Sequence, residues 1–257
     1  MDLFGMRRIL VSLSGITSLI LLWQLLALMM HNESLLPSPF SVFSRLTTDF
    51  GNQIFWQETW ITFSEALLGC LFGSFLALPL AYLIYKNRVF AAAFEPILAI
   101  SQSIPAVALA PLLAVWVGYG LIAISALCAL IVFFPILVTT VLGLRSLPRE
   151  ILEAARLDGA GGINLLALVE FPMAFPAVLS GLRAGFTLSV TGAVVGEFVM
   201  GGQGLGARLS LESANSDMAG LFSTILVLCS LAAFAFSGIS FIERHSSDAN
   251  ELRMWEG

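Results

Sequence analysis

Five apolar runs, at 9–30, 59–85, 121–144, 175–200 and 220–242, limit this chain more than any other feature. A helix needs about 20 mostly apolar residues to cross the hydrocarbon core of a bilayer. Each run is of that size. In hydrocarbon every backbone N–H and C=O must be paired within the protein, and a helix does this inside one segment. The chain is 58% hydrophobic and only 11% charged, against about 45–50% and 25% in soluble domains. It therefore lacks the polar residues to coat a water-soluble core. The expectation is an all-α, polytopic membrane protein.

A sixth apolar region, 90–117, carries Pro96, Pro105 and Pro111. Each proline removes a backbone donor and should kink or break the helix. The freed carbonyls then need protein or a wet cavity, so this region is expected to pack inward. Gly118-Tyr119-Gly120 reads as a tight turn into the next span. With the broken region the count is about six spans. The apolar positions Phe40, Val42, Phe43, Leu46 and Phe50 suggest a short surface helix after Leu36-Pro-Ser-Pro39. Residues 201–219 read as a flexible, Gly-rich loop. The first run, preceded by Arg7 and Arg8, is longer than the ~7–15 residues of a signal-peptide core. No small-residue cleavage site follows it, and it reads as a retained span.

The basic residues give an orientation. With the N-terminus inside, Arg7, Arg8, Lys86, Arg88, Arg145, Arg149, Arg156, Arg244 and Arg253 lie on the inner side. Only Arg45 and Arg208 lie outside, with Arg183 in or near the fifth span. Both termini and the polar loop 145–172 are then cytoplasmic. In that loop Pro148 is placed to start a helix, and Glu150 and Glu153 sit in its first turns, where negative charge is favoured. Ile151, Leu152, Ala154, Ala155 and Leu157 give it an apolar side, and Gly159 to Gly162 end it. A helix this short, with an apolar side, needs a partner to cover it.

Glu153-Ala154-Ala155, Gly159, Val169, Phe171 and Pro172 stand at the spacing of the EAA motif, and the loop resembles that of bacterial ABC importer permeases. Val169 and Phe171 replace the motif's usual Ile and Leu. Ile104-Pro-Ala106, Ala110-Pro-Leu112, Gly196-Glu-Phe198 and Gly204-Leu-Gly206 extend the resemblance along the chain, to the nitrate/sulfonate/taurine-type permeases. Thr191-Gly-Ala-Val-Val-Gly-Glu-Phe198 is closer to the vitamin and pyrimidine branch. The resemblance implies one permease domain over 1–257, with a core at about 58–242 and a type I importer fold. It implies a bacterial inner-membrane location and coupling to an ATPase through Glu153, Ala154, Ala155, Asp158, Gly159 and Pro172. Its implied partners are an ATP-binding subunit that holds ATP and Mg, a periplasmic or lipid-anchored substrate-binding protein, and a second permease copy. The implied solute is riboflavin or a thiamine-precursor pyrimidine, with taurine, alkanesulfonate or nitrate-type anions as the alternative.

Other classes fit less well. Lys86 is the sole lysine and no Gly-x4-Gly-Lys surrounds it, so no Walker A site is present. Gly202-Gln-Gly204-Leu-Gly206 follows no predicted strand and is not a dinucleotide fingerprint. The net charge of −5 argues against nucleic acid. Cys70, Cys128 and Cys229 sit singly in apolar runs as small core residues, with no metal-ligand spacing. No nucleophile–base set is visible. An ion-coupled secondary transporter would need paired charges near mid-membrane and would have no use for the apolar loop helix. Polar residues within spans are candidates for the solute path. These are Glu65, Gln102, Ser103, Thr191 and Glu197. The two glutamates otherwise reach the membrane interface, and Ser101 to Ser103 otherwise satisfy backbone freed by the prolines.

Overall fold

The computed structural model describes the backbone of residues 3–30, 32–101 and 104–255, and the side chains of 14–30, 32–94, 96–98, 100, 104–105 and 107–241. Gln102 and Ser103 lie outside the described residues. The elements in order are α1 (Leu3–Met30), α2 (Pro39–Phe50), α3 (Gln53–Lys86), α4 (Arg88–Ser101), α5 (Ala106–Val117) and α6 (Leu121–Arg145). They are followed by α7 (Arg149–Leu157), α8 (Gly162–Leu165), a π-turn (Leu166–Glu170), α9 (Phe171–Met200), α10 (Leu205–Ala214) and α11 (Met218–Trp255). No strand occurs among the described residues. Four helical segments, Gln53–Lys86, Leu121–Arg145, Gly162–Met200 and Met218–Phe241, are long and apolar enough to cross a membrane. Ser14–Met30 and Val107–Val117 are shorter apolar helices. The fold is all-α, as expected.

The core is α6 held between α3 and α9. Leu127, Val132, Ile136 and Leu137 of α6 are completely buried. Lipid supplies no hydrophobic force between helices, so close packing must supply the attraction. Glycines four residues apart make the closeness possible. A methyl group at Gly69 or Gly73 of α3 would overlap Cys128 or Val132. On α9, Gly181, Gly185, Gly192 and Gly196 meet Thr139, Ile136, Ile131 and Ile124 in the same way.

Four expectations need correction. Only one of the three prolines marks a helix boundary: Pro105 is the N-cap of α5, whereas Pro96 and Pro111 lie within α4 and α5. The region is not wholly packed inward either. Leu98, Ala110, Leu113 and Ala114 are buried, but Ile97, Ile100, Val115 and Trp116 are exposed on the single subunit. Segment 201–219 is not a loop throughout. Gly201, Gly202 and Gly204 take positive φ angles, which turns the chain back over the end of α9 and lets α10 form. Cys229 is exposed, while Cys70 and Cys128 are buried. The surface helix is present as α2. Its N-cap Ser38 accepts a hydrogen bond from the Ser41 N–H (3.1 Å).

Candidate functional site

The end of the bundle that carries α7 is called here the loop end, and the end that carries α2 and α10 the cap end. At the loop end, α7 finishes in a Schellman arrangement. Gly159 has φ +89°. Its N–H donates to the Arg156 carbonyl (3.1 Å), and the Ala160 N–H donates to the Ala155 carbonyl (2.9 Å). Left-handed backbone favours glycine, and the two bonds satisfy carbonyls that the helix end leaves free. The spacing from Ala155 to Gly159 is thus the spacing of a helix stop. Pro148 sits at the N-cap, one place before the first helical position.

Helix α7 has two faces. Leu152 is buried against Leu144, Leu147 and Ala174, and Arg149, Leu152, Glu153 and Arg156 point the same way, lining one cavity. Ile151, Ala154, Leu157 and Asp158 are exposed. Leu157 is 89% exposed, and Ile163 beyond the turn is 80% exposed. The expected apolar side is therefore split between the chain's own core and solvent. Glu153 falls on the cavity face and is itself exposed. Pro172 stands at the first turn of α9. The π-turn joins α8 to α9, so the span that contains α9 begins at Gly162.

One residue here was not anticipated. Glu170 is fully buried, and Lys86 Nζ donates to its Oε1 at 2.6 Å. Its Oε2 has no hydrogen-bond partner among the described residues. The pair fastens the end of α3 to the start of α9. A sole lysine at a span end and an acid within the apolar stretch 163–171 were the available signals.

At the cap end, Glu65 and Glu197 do not reach the interface. They are 1% and 0% exposed, and they lie against each other. Thr62 Oγ1 donates to Glu197 Oε1 (2.7 Å), and the Gly206 N–H donates to Glu197 Oε2. The Leu205 N–H donates to Thr62 Oγ1 (2.9 Å). Glu197 thus holds the first turn of α10, where the helix leaves donors unpaired. A Cβ at Gly204 would strike the Glu197 carboxylate, which explains a glycine there. Thr191 is exposed on α9 and its hydroxyl turns back to the Thr187 carbonyl (3.4 Å). Ser189 is buried and donates to the Ala66 carbonyl (2.6 Å), joining α9 to α3. Glu65 and Glu197 are brought together, and Thr191 is apart from them.

Above this pair lies an ion network that the sequence reading did not contain. Arg208 reaches Asp49 (2.6 Å), Glu58 (3.1 Å) and Glu212 (2.8 Å). Arg45 reaches Asp49 (3.3 Å) and Asp217 (3.0 Å). Ser223 donates to Asp49 (2.9 Å) and Thr224 to Glu212 (2.9 Å). The network joins α2, α3, α10 and α11. Burial pulls the Arg208 guanidinium down, but Glu58, Glu212 and Asp49 outweigh it and hold it above its ordinary value. Burial pushes the Glu212 carboxyl up, against the opposing pull of Thr224 and Arg208. No group of three or more metal-ligating side chains occurs among the described residues.

Known proteins place this architecture. Residues 69–247 match the family described as binding-protein-dependent transport system inner membrane component. The chain is 42% identical over 218 residues to a riboflavin transport system permease protein of Chloroflexus aurantiacus, covering 84% of this chain and 79% of that one. It is 33% identical over 225 residues to a formylaminopyrimidine transport permease protein of Halalkalibacterium halodurans, covering 88% and 90%. A solved structure of the MetNI methionine ABC transporter in an inward-facing conformation shares the fold, with a TM-score of 0.69 at 20% identity over 75% of this chain and 96% of that chain. The chain belongs to the binding-protein-dependent transport system inner membrane component family and is an ABC importer permease subunit.

Proposed function

We propose that this subunit passes riboflavin or a related heterocycle such as a thiamine-precursor pyrimidine into a bacterial cell. It works as a homodimer, with the loop end and both termini in the cytoplasm. A separate ATP-binding subunit docks at α7 and supplies the energy, and a substrate-binding protein delivers the solute at the cap end. The observation that carries the docking is the row Ile151, Ala154 and Leu157, exposed on α7 and continued by Ile163. An apolar row on a short helix fits a groove in a partner. Ala154 and Ala155 keep the helix slim, and Asp158 and Gly159 end it, leaving Leu157 exposed before the turn and Ile163 exposed after it. Glu153 lines the cavity together with Arg149 and Arg156.

In this reading, closure of the ATPase pair draws the two loops together. The movement passes into the spans through the continuous helix 162–200, past Pro172, and through the Lys86–Glu170 pair into α3. It biases the bundle between two states, which is all an energy source at a distant site can do. The solute is supported by the riboflavin and formylaminopyrimidine permeases that the chain resembles.

Two measurements test this. The double variant Glu153→Ala with Gly159→Ala should lose most ATP-dependent uptake in vesicles, because alanine is strained at φ +89°. A normal uptake rate would sink the coupling assignment. Thermal shift of the partner binding protein should respond to riboflavin or a pyrimidine. A response only to taurine or nitrate reverses the choice of solute.

A further inference from the structure

The cavity at the loop end, about 700 Å3 in volume, is lined by Lys86, Arg88, Arg145, Arg149 and Arg156, with Glu153 the one acid on its wall. Lys86 is occupied by Glu170. Arg88, Arg149 and Arg156 form no ion pair with a carboxylate among the described residues. Clustered cations repel one another, and a protein tolerates the arrangement most easily where an anion completes it. The floor is apolar, made by Ile84, Ala91, Leu144 and Leu152.

The position of the cavity identifies the anion. Lys86 ends α3, Arg88 begins α4 and Arg145 ends α6, so the cations stand at the level where apolar spans give way to polar chain. That is the depth of lipid headgroups. Val89 is 79% exposed beside Arg88, and Leu83 and Leu142, one helical turn deeper, are 50% and 60% exposed. A freely soluble anion has no use for this apolar flank. A phospholipid does, because its acyl chains must leave the cavity along it. Basic pockets between spanning helices hold phosphate headgroups by this combination. We infer that this cavity binds the phosphate of an anionic phospholipid, with the acyl chains laid along Leu83, Val89 and Leu142.

The inference assigns the face of α7 opposite to the one proposed for docking. It rests on the proposed orientation only for which leaflet supplies the lipid.

The test titrates the purified full-length chain in neutral detergent with phosphatidylglycerol, phosphatidylcholine or inorganic phosphate, and follows thermal unfolding and lipid retention by native mass spectrometry. Phosphatidylglycerol should stabilise and be retained, while the other two should not at equal concentration. The double variant Arg88→Gln with Arg149→Gln should weaken phosphatidylglycerol binding on the order of tenfold or more. Arg88→Lys, which keeps the charge, should retain it and guards against a variant that simply folds poorly. Equal responses to phosphatidylglycerol and phosphatidylcholine would overturn the site. An equal response to inorganic phosphate would overturn the lipid and leave a soluble phosphate as ligand. No ATPase is present in this experiment, so its failure is distinct from a failure of the docking proposal.

Discussion

At the cap end, Arg208 is gripped by three carboxylates and Glu197 by the start of α10. At the loop end, α7 is held chiefly by one buried leucine, and Leu157 and Ile163 are left bare. Both ends carry charged residues at a membrane boundary, yet one is internally satisfied and the other is incomplete. A satisfied network fixes its elements relative to one another, since each buried charge is costly to leave alone. A bare apolar row gains free energy only when something covers it. The contrast teaches that the cap end is built to hold a shape by itself, whereas the loop end is built to be completed from outside.

The strongest way to break the comparison is Arg208→Ala. It leaves Glu212, 6% exposed, without its cation, and Asp49, 3% exposed, with Arg45 alone. Removal of one partner from a buried pair costs about 3–5 kcal/mol, which is a fall on the order of 10 °C in the unfolding midpoint. A fall of a degree or two in detergent would show that the network is ornamental and that the cap end is no more self-sufficient than the loop end.

A sharper version compares two leucines five residues apart on α7. Leu152→Ala should cost about 2–3 kcal/mol, near the low end for buried leucines because its site borders the cavity. Leu157→Asp should change stability by less than about 0.5 kcal/mol, as exposed substitutions do, and yet abolish co-purification with the ATP-binding subunit. Unimpaired co-purification would remove the functional meaning of the exposed row.

The two ends also differed in how far they could be read from sequence. The spans were legible because hydrocarbon imposes one rule on every residue in them. The loop was legible because a helix stop is local: Ala155, Gly159 and Ala160 make their bonds within six positions of one another. The cap network was not, since Arg208 meets Asp49 and Glu58 across 159 and 150 positions, and no periodicity records such a contact. The burial of Glu197 was not legible either, because its neighbours in sequence lie at a span end, where facing the solute path and reaching the interface fit equally well. What buries it is α10, folded back over it by three glycines that read as flexibility. The glycines at four-residue spacing on α3 and α9 were in plain view, and their meaning is helix packing.

The smallest expected effect concerns pH at the cap end, and Glu212 isolates it. Burial holds this carboxyl above its ordinary value of 4.5, with Arg208 and Thr224 pulling the other way and Asp49 adding to the rise. A carboxyl whose value is higher folded than unfolded binds more protons in the folded state. Its contribution to stability is therefore full below about pH 4.5 and declines as pH rises through the folded value. Arg208, already held high, stays charged across that range and contributes no slope. Thermal unfolding followed from pH 4 to pH 8 should show this decline. Glu212→Gln cannot titrate, so its curve should be flatter than that of the unaltered chain even though losing the Arg208 contact lowers it throughout. The readout is the difference in slope and not the offset. Parallel curves would mean that Glu212 is as well solvated in the fold as outside it, and that the network at the cap end is looser than its distances imply.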